Sequence, residues 1–138
     1  MPDCVFCGIV AGRVPSVTVD ETSDTVSFMD INPVNPGHVL TIPKRHAVDM
    51  WEMGADEFAA LSAAAHGVAQ RVREVLRPDG VNIFIANGAA AGQTVFHVHI
   101  HTIPRWPADG WIDASWTAAP GDPAEIAAMG ARLSVSPS

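Results

Sequence analysis

The sequence predicts a single domain of mixed strand and helix, on three observations. Short runs rich in β-branched residues recur between turn signals. One long stretch, Ala55 to Leu76, repeats its apolar residues at helical spacing. The run from Asn87 to Arg105, NGAAAGQTVFHVHIHTIPR, alternates as a strand does and carries three histidines at alternate positions. The length of 138 residues suits one domain able to bury roughly two thirds of its unfolded surface.

The first elements follow from local chemistry. Cys4 to Val10 reads as a short helical turn, closed by the break at Arg13-Val14-Pro15-Ser16. Val17 to Glu21 and Thr25 to Asp30 alternate or are β-branched, and the turn-like Thr22-Ser23-Asp24 between them makes a hairpin. Asp30 to Gly37 holds two prolines and a glycine, which exclude a central strand, so it is a loop. It leads to a strand from His38 to Ile42 that ends at Pro43-Lys44-Arg45-His46.

The long helix has Phe58, Leu61, Ala65, Val68, Val72 and Val75/Leu76 on one stripe. Asp56 and Glu57 in its first turn and Arg71, Arg73 and Arg77 near its end complement the helix dipole, and Pro78 and Gly80 stop it. His66 falls off the stripe, on the solvated side. Val81 to Ala86 is a strand, and Asn87 to Gln93 turns into the histidine strand. There, Val95, His97, His99, His101 and Ile103 share one face, while Phe96, Val98, Ile100 and Thr102 share the other, fit for a core. Beyond a core spanning 4–105, the tail 106–138 carries Trp106, Trp111 and Trp116 and a weak helix from about Pro123 to Leu133.

Composition excludes several classes of function. A net charge of −7 argues against broad binding to nucleic acid, which rests on many cationic contacts to phosphates. No apolar run approaches the ~20 residues that span a bilayer, and the first ten residues lack the basic and apolar segments of a secretory signal. The expected compartment is the cytoplasm.

Three alternate histidines point to metal binding or to covalent catalysis, since imidazole serves either near neutral pH. Cys4-x-x-Cys7 is open to redox chemistry, half a zinc site or two buried thiols, and lack of room for an upstream strand favours the zinc half-site. The glycine-bearing turn before the histidines offers backbone N–H groups that suit an anion.

Taken together, His97-x-His99-x-His101 after Gly92-Gln93-Thr94 and before Pro104-Arg105, with Phe28-Met29-Asp30-Ile31-Asn32-Pro33 and Pro43-Lys44-Arg45-His46 upstream, resembles the histidine triad (HIT) superfamily of nucleotide hydrolases and transferases. It is similar more narrowly to bacterial zinc-containing members related to nucleoside phosphoramidate hydrolases. The resemblance implies an α+β fold, an antiparallel sheet of about five strands carrying one long helix, paired as a homodimer through that helix and the last strand. It implies that His99 attacks the α-phosphorus of a purine nucleotide to form a nucleotidyl-histidine, with His101 and His38 on the phosphate side. Thr94 would stand near the leaving group, with Gly92, Gln93 and Asn87 on the nucleotide. Asp30 would hold the ribose, and Phe6, Ile9, Phe28 and Ile31 the base. Cys4, Cys7, His46 and His97 would bind a structural zinc. Ala86 departs from the pattern, standing where the family often has a polar residue, commonly Asn. The alternatives are a nucleotide-binding regulatory module with little catalysis, and nucleotidyl transfer to phosphate or a sugar phosphate.

Overall fold

The computed structural model describes residues 4–109 and 119–134. Five strands form an antiparallel sheet in the order β1-β2-β3-β5-β4, from β1 (Thr18–Glu21), β2 (Thr25–Met29), β3 (Val39–Pro43), β4 (Gly80–Ile85) and β5 (Ile100–Arg105). The helices are α1 (Val5–Val10), α2 (Ala55–Leu76) and α3 (Pro123–Leu133). The turn between β1 and β2 is held by the Thr22 hydroxyl, which accepts from the backbone N–H groups of Asp24 and Thr25. The predicted hairpin is therefore present.

Each sheet face has its own cover, because alternate residues point to opposite sides. On one face Met29, Val39 and Ile100 meet the α2 stripe of Leu61, Ala65, Val68 and Val72, joined by Ile126 and Leu133 of α3. Burying each such aliphatic side chain contributes roughly 1.5–3 kcal/mol. On the other face Val26, Phe28, Leu40 and Ile42 meet Phe6 of α1, with Ile9 and Val10 packed alongside. His38, Leu40, Phe28 and His101 share this second face, as the register pairs Phe28 with Leu40 and Leu40 with His101 show. The imidazoles thus sit beneath α1, away from α2.

Helix α2 begins and ends as its sequence predicts. Glu57 reaches back to the Gly54 N–H at its start, and Arg77 closes it in the left-handed region at φ 48°. The loop 30–38 bends at Gly37, φ 98°, where an added Cβ would lie 2.5 Å from a Leu76 methyl, so no other residue fits that approach without a shift. His66 is exposed, as expected. Trp106 is half-buried, and Trp111 and Trp116 lie outside the described residues.

Two expectations need correction. The histidine strand is paired only from Ile100, not from Val95: Thr41 of β3 and Ile85 of β4 are the last residues to pair with it, and the chain beyond β3 turns to Ala47. There the Val98 N–H donates to the Ala47 carbonyl at 2.8 Å instead of extending the ladder. Phe96 was expected in the core with Val98 and Ile100 but is 49% exposed, since the paired strand does not reach it.

Candidate active site

Cys4 caps α1, accepting the Cys7 N–H at its sulfur, and the single turn between them aims both thiols at His46 and His97. His97 is fully buried, and its Nε2–H donates to the Pro43 carbonyl at 2.8 Å, which leaves Nδ1 facing the sulfurs. His97 Nδ1 stands 3.5 Å from Cys4 Sγ, 3.6 Å from Cys7 Sγ and 3.2 Å from His46 Nδ1, and His46 Nδ1 is 3.2 Å from Cys7 Sγ. Ligands around tetrahedral zinc, at about 2.3 Å for sulfur and 2.0–2.1 Å for nitrogen, stand roughly 3.3–3.8 Å apart. The set therefore fits a closed zinc site, with His97 already oriented by its outer hydrogen bond. These four residues could hold the metal; none of its coordination would remain open to a substrate.

Phe6, between the two cysteines in sequence, lies between this cluster and His99. Its ring meets His97 and His99 edge-on, with centroids at 5.9 and 5.2 Å. A metal holding Cys4 and Cys7 would thereby hold Phe6 against His99.

The remaining imidazoles form a directed chain of hydrogen bonds. The Val34 N–H donates to His38 Nδ1 at 3.1 Å, so the His38 proton is on Nε2. That Nε2–H lies 2.9 Å from His101 Nδ1 and 3.4 Å from Asp30 Oδ2. His101 accepts at Nδ1 and so carries its own proton on Nε2. His99 donates Nδ1–H to the His97 carbonyl at 2.8 Å, which leaves the Nε2 lone pair free of a proton. Asp30, His38 and His101 also lie close enough to share a metal ion. The Val34 N–H argues for a proton relay instead, because it occupies one lone pair of His38 and forces the proton onto the nitrogen a metal would need.

Burial keeps these rings neutral. It lowers His38 to about 3 and pushes His99 and His101 below the usual imidazole range, with the neighbouring imidazoles adding to the effect on His38 and His101. Burial raises the Asp30 carboxyl, opposed by the Asn32 N–H that donates to its Oδ1 at 2.8 Å.

A cavity of about 320 Å³ opens over His99 and His101. This is within the size range of small-molecule sites. Of the residues named from the sequence, Phe6, Ile9, Phe28, Asp30, Ile31 and Thr94 line it as well. His38 does not; it is fully buried behind His101. Sequence reasoning missed Val5, Val14, Pro15 and Ser16 in the wall. The chain break at 13–16 has no periodicity to place the last three.

Asn87, Gly92 and Gln93 also stand apart from the cavity wall. Asn87 Oδ1 accepts from the Met50 N–H, and the backbone N–H groups of Gly92 and Gln93 are used within the loop, on Ala89 and Gly88 carbonyls. The buried Gln93 amide accepts from Gly88 N–H at 2.7 Å and donates to the carbonyls of Val48 and Val95. It braces the loop against the segment after His46. Ala86 is buried and brings no polar side-chain atom.

Comparison with known proteins decides the family: residues 11–108 match the HIT domain. The chain belongs to the HIT family. This HIT protein is 36% identical to adenosine 5'-monophosphoramidase hnt1 of Schizosaccharomyces pombe, over 95% of the chain and 96% of that protein. Among solved structures, a zinc-bound histidine triad family protein from Mycobacterium smegmatis superimposes with a TM-score of 0.81 at 37% identity, covering 96% of this chain and 94% of that one. A HIT family hydrolase from Clostridium thermocellum superimposes with a TM-score of 0.68 at 35% identity, over 78% of this chain and 95% of the other. The α+β fold with its five-stranded antiparallel sheet, expected from the triad motif, is that of the HIT neighbours. No helix among the described residues is long and apolar enough to cross a membrane.

Proposed function

We propose that this HIT protein is a nucleotide hydrolase that cleaves a purine nucleoside monophosphate from a phosphoramidate, dinucleoside polyphosphate or acyl-adenylate. The observation that carries the reading is the state of His99: a neutral ring lining the cavity, with Nδ1–H held by the His97 carbonyl and Nε2 free to attack. Attack on the α-phosphorus forms a P–Nε2 bond and breaks the bond to the leaving group. The product imidazolium is stabilised through its Nδ1–H by the same carbonyl. His101 presents Nε2–H to the departing group, and the His38 relay behind it holds that tautomer. Water then cleaves the P–N bond, releasing the nucleoside monophosphate and restoring His99.

The binding roles follow the cavity. Asp30 would accept ribose hydroxyls, donors that favour its charged form against the burial penalty. Phe6, Ile9, Phe28 and Ile31 would enclose the base; such walls read shape, so purine choice would be loose. Thr94 would meet the leaving group. The loop residues Gly92, Gln93 and Asn87 would act on the nucleotide through the shape of the loop. A structural zinc on Cys4, Cys7, His46 and His97 would fix α1 over the pocket, and a reducing cytoplasm would keep the two thiols available to it. The hnt1 relative, named as an adenosine 5'-monophosphoramidase, supports the hydrolase reading.

Two copies would pair through α2 and the edge strand β4, since the last strand in chain order, β5, lies inside the sheet between β3 and β4. Ile83 on this edge strand is 50% exposed, beside a groove lined by Phe58, Ser62, Ala65 and Ile85.

The test is turnover of adenosine phosphoramidate by His99→Asn, which is expected to lose activity and keep nucleotide binding. Full activity in that variant would sink the reading.

A further inference from the structure

Phe84 of β4 lies directly opposite His101 of β5 in the sheet register. Opposed residues of an antiparallel pair project from the same face, so the two rings meet. They stack nearly flat, with centroids 4.3 Å apart and planes inclined by 11°. The neighbouring ring pairs of the site do not: Phe6 meets His99 at 88°, His99 meets His101 at 54° and His38 meets His101 at 46°. Among these contacts of the described residues, this one presents a whole face to an imidazole.

A face is what the relay by itself leaves undefined. The torsion that turns an imidazole about its Cβ–Cγ bond is broad and roughly two-fold. The hydrogen bond from His38 fixes one ring atom, Nδ1, and rotation about that contact would still tilt the plane. Half a turn would exchange Nδ1 for a carbon, breaking the link to His38 and carrying Nε2–H away from His99. A flat aromatic surface against the ring opposes tilting, since a tilted ring either loses the stack or drives atoms into it, while the link to His38 disfavours the half-turned ring, which would keep the same plane.

We propose that Phe84 is a positioning residue, whose ring fixes the plane of His101 so that its Nε2–H points at the group leaving the phosphorus beside His99. The inference rests on the nucleotidyl-His99 reading and adds to it a residue that stands outside the cavity wall. Phe84 therefore acts on the chemical step and not on nucleotide binding. Leucine at this position would still fill apolar space but would offer no flat face, whereas tyrosine would keep the face.

The experiment compares wild type, Phe84→Leu and Phe84→Tyr, each loaded with zinc. The readouts are the single-turnover rate with adenosine phosphoramidate, the Kd for AMP, and the tautomer of His101 from ring 15N NMR signals. In Phe84→Leu the rate is expected to fall about ten- to a hundredfold, the cost of a catalytic group held out of line. The Kd for AMP stays at the wild-type value. Phe84→Tyr keeps the wild-type rate. His101 is expected as the Nε2–H tautomer in wild type and Phe84→Tyr, and as a mixture in Phe84→Leu.

An unchanged rate and tautomer in Phe84→Leu would overturn the proposal. So would an equal fall in Phe84→Leu and Phe84→Tyr, which would mark a packing role only. Should Phe84→Leu not fold, the wild-type spectrum still decides: mixed tautomers at His101 would overturn the proposal. If wild type itself turned over no phosphoramidate, the hydrolase reading would fail, while the tautomer comparison would still report whether Phe84 orders His101.

Discussion

His38 shows how a single residue joins stability to chemistry. It is buried and neutral, with a folded pKa of about 3 against an ordinary value of 6.5. Below the unfolded pKa the unfolded chain binds a proton that the folded one refuses, so stability present at pH 7 is lost as pH falls from about 6.5 toward 3. The slope is about 1.4 kcal/mol per pH unit for one such group. Thermal melts between pH 7 and pH 4 are expected to show a falling Tm, with a shallower dependence in His38→Gln; equal slopes would contradict the account. Gln93 gives a second prediction. Gln93→Leu leaves the Gly88 N–H and the Val48 carbonyl without their partner, at a cost of about 1–3 kcal/mol by chemical denaturation. The alternation of His97, His99 and His101 was legible in the sequence. The bracing by Gln93 was not, because its partner Val48 is distant in sequence and a buried glutamine leaves no periodic trace.

Among the elements, α1 depends most on its surroundings. Six residues are too few for a helix to be stable alone, so it persists by packing Phe6, and a metal on Cys4 and Cys7 would hold it further. Removing metal from a zinc-loaded sample with a chelator is expected to lower Tm and to raise hydrogen exchange in α1 above that in α2. Cys7→Ser should reproduce the effect; a metal-loaded protein indifferent to both would contradict the assignment of Cys4, Cys7, His46 and His97. Helix α2 was readable to its ends, since its stripe, acidic first turn and following proline agree. Strand β5 was less so. Alternation reports which way side chains point, but pairing depends on a partner, and Thr41 of β3 and Ile85 of β4 are the last to pair with it, short of His97.

At the scale of the whole molecule, the sheet divides the labour. One face is core under α2 and α3, and the other carries the imidazoles under α1. Edge strand β4 leaves Ile83 exposed beside α2, so Ile83→Lys is expected to shift the mass measured by light scattering from two copies to one. A wild type that runs as one copy would contradict that pairing. The fold was legible because each element's local pattern agreed with its place. The cavity was legible only in part, since Val14, Pro15 and Ser16 come to it through tertiary folding alone. The central claim is covalent chemistry at His99. Its most direct test is mass spectrometry of the protein briefly incubated with adenosine phosphoramidate and quenched without acid, which would cleave the phosphorus–nitrogen bond. The account predicts an added adenylyl mass in wild type and none in His99→Ala. An adduct that persists in His99→Ala, or turnover with no adduct in wild type at any time sampled, would contradict it.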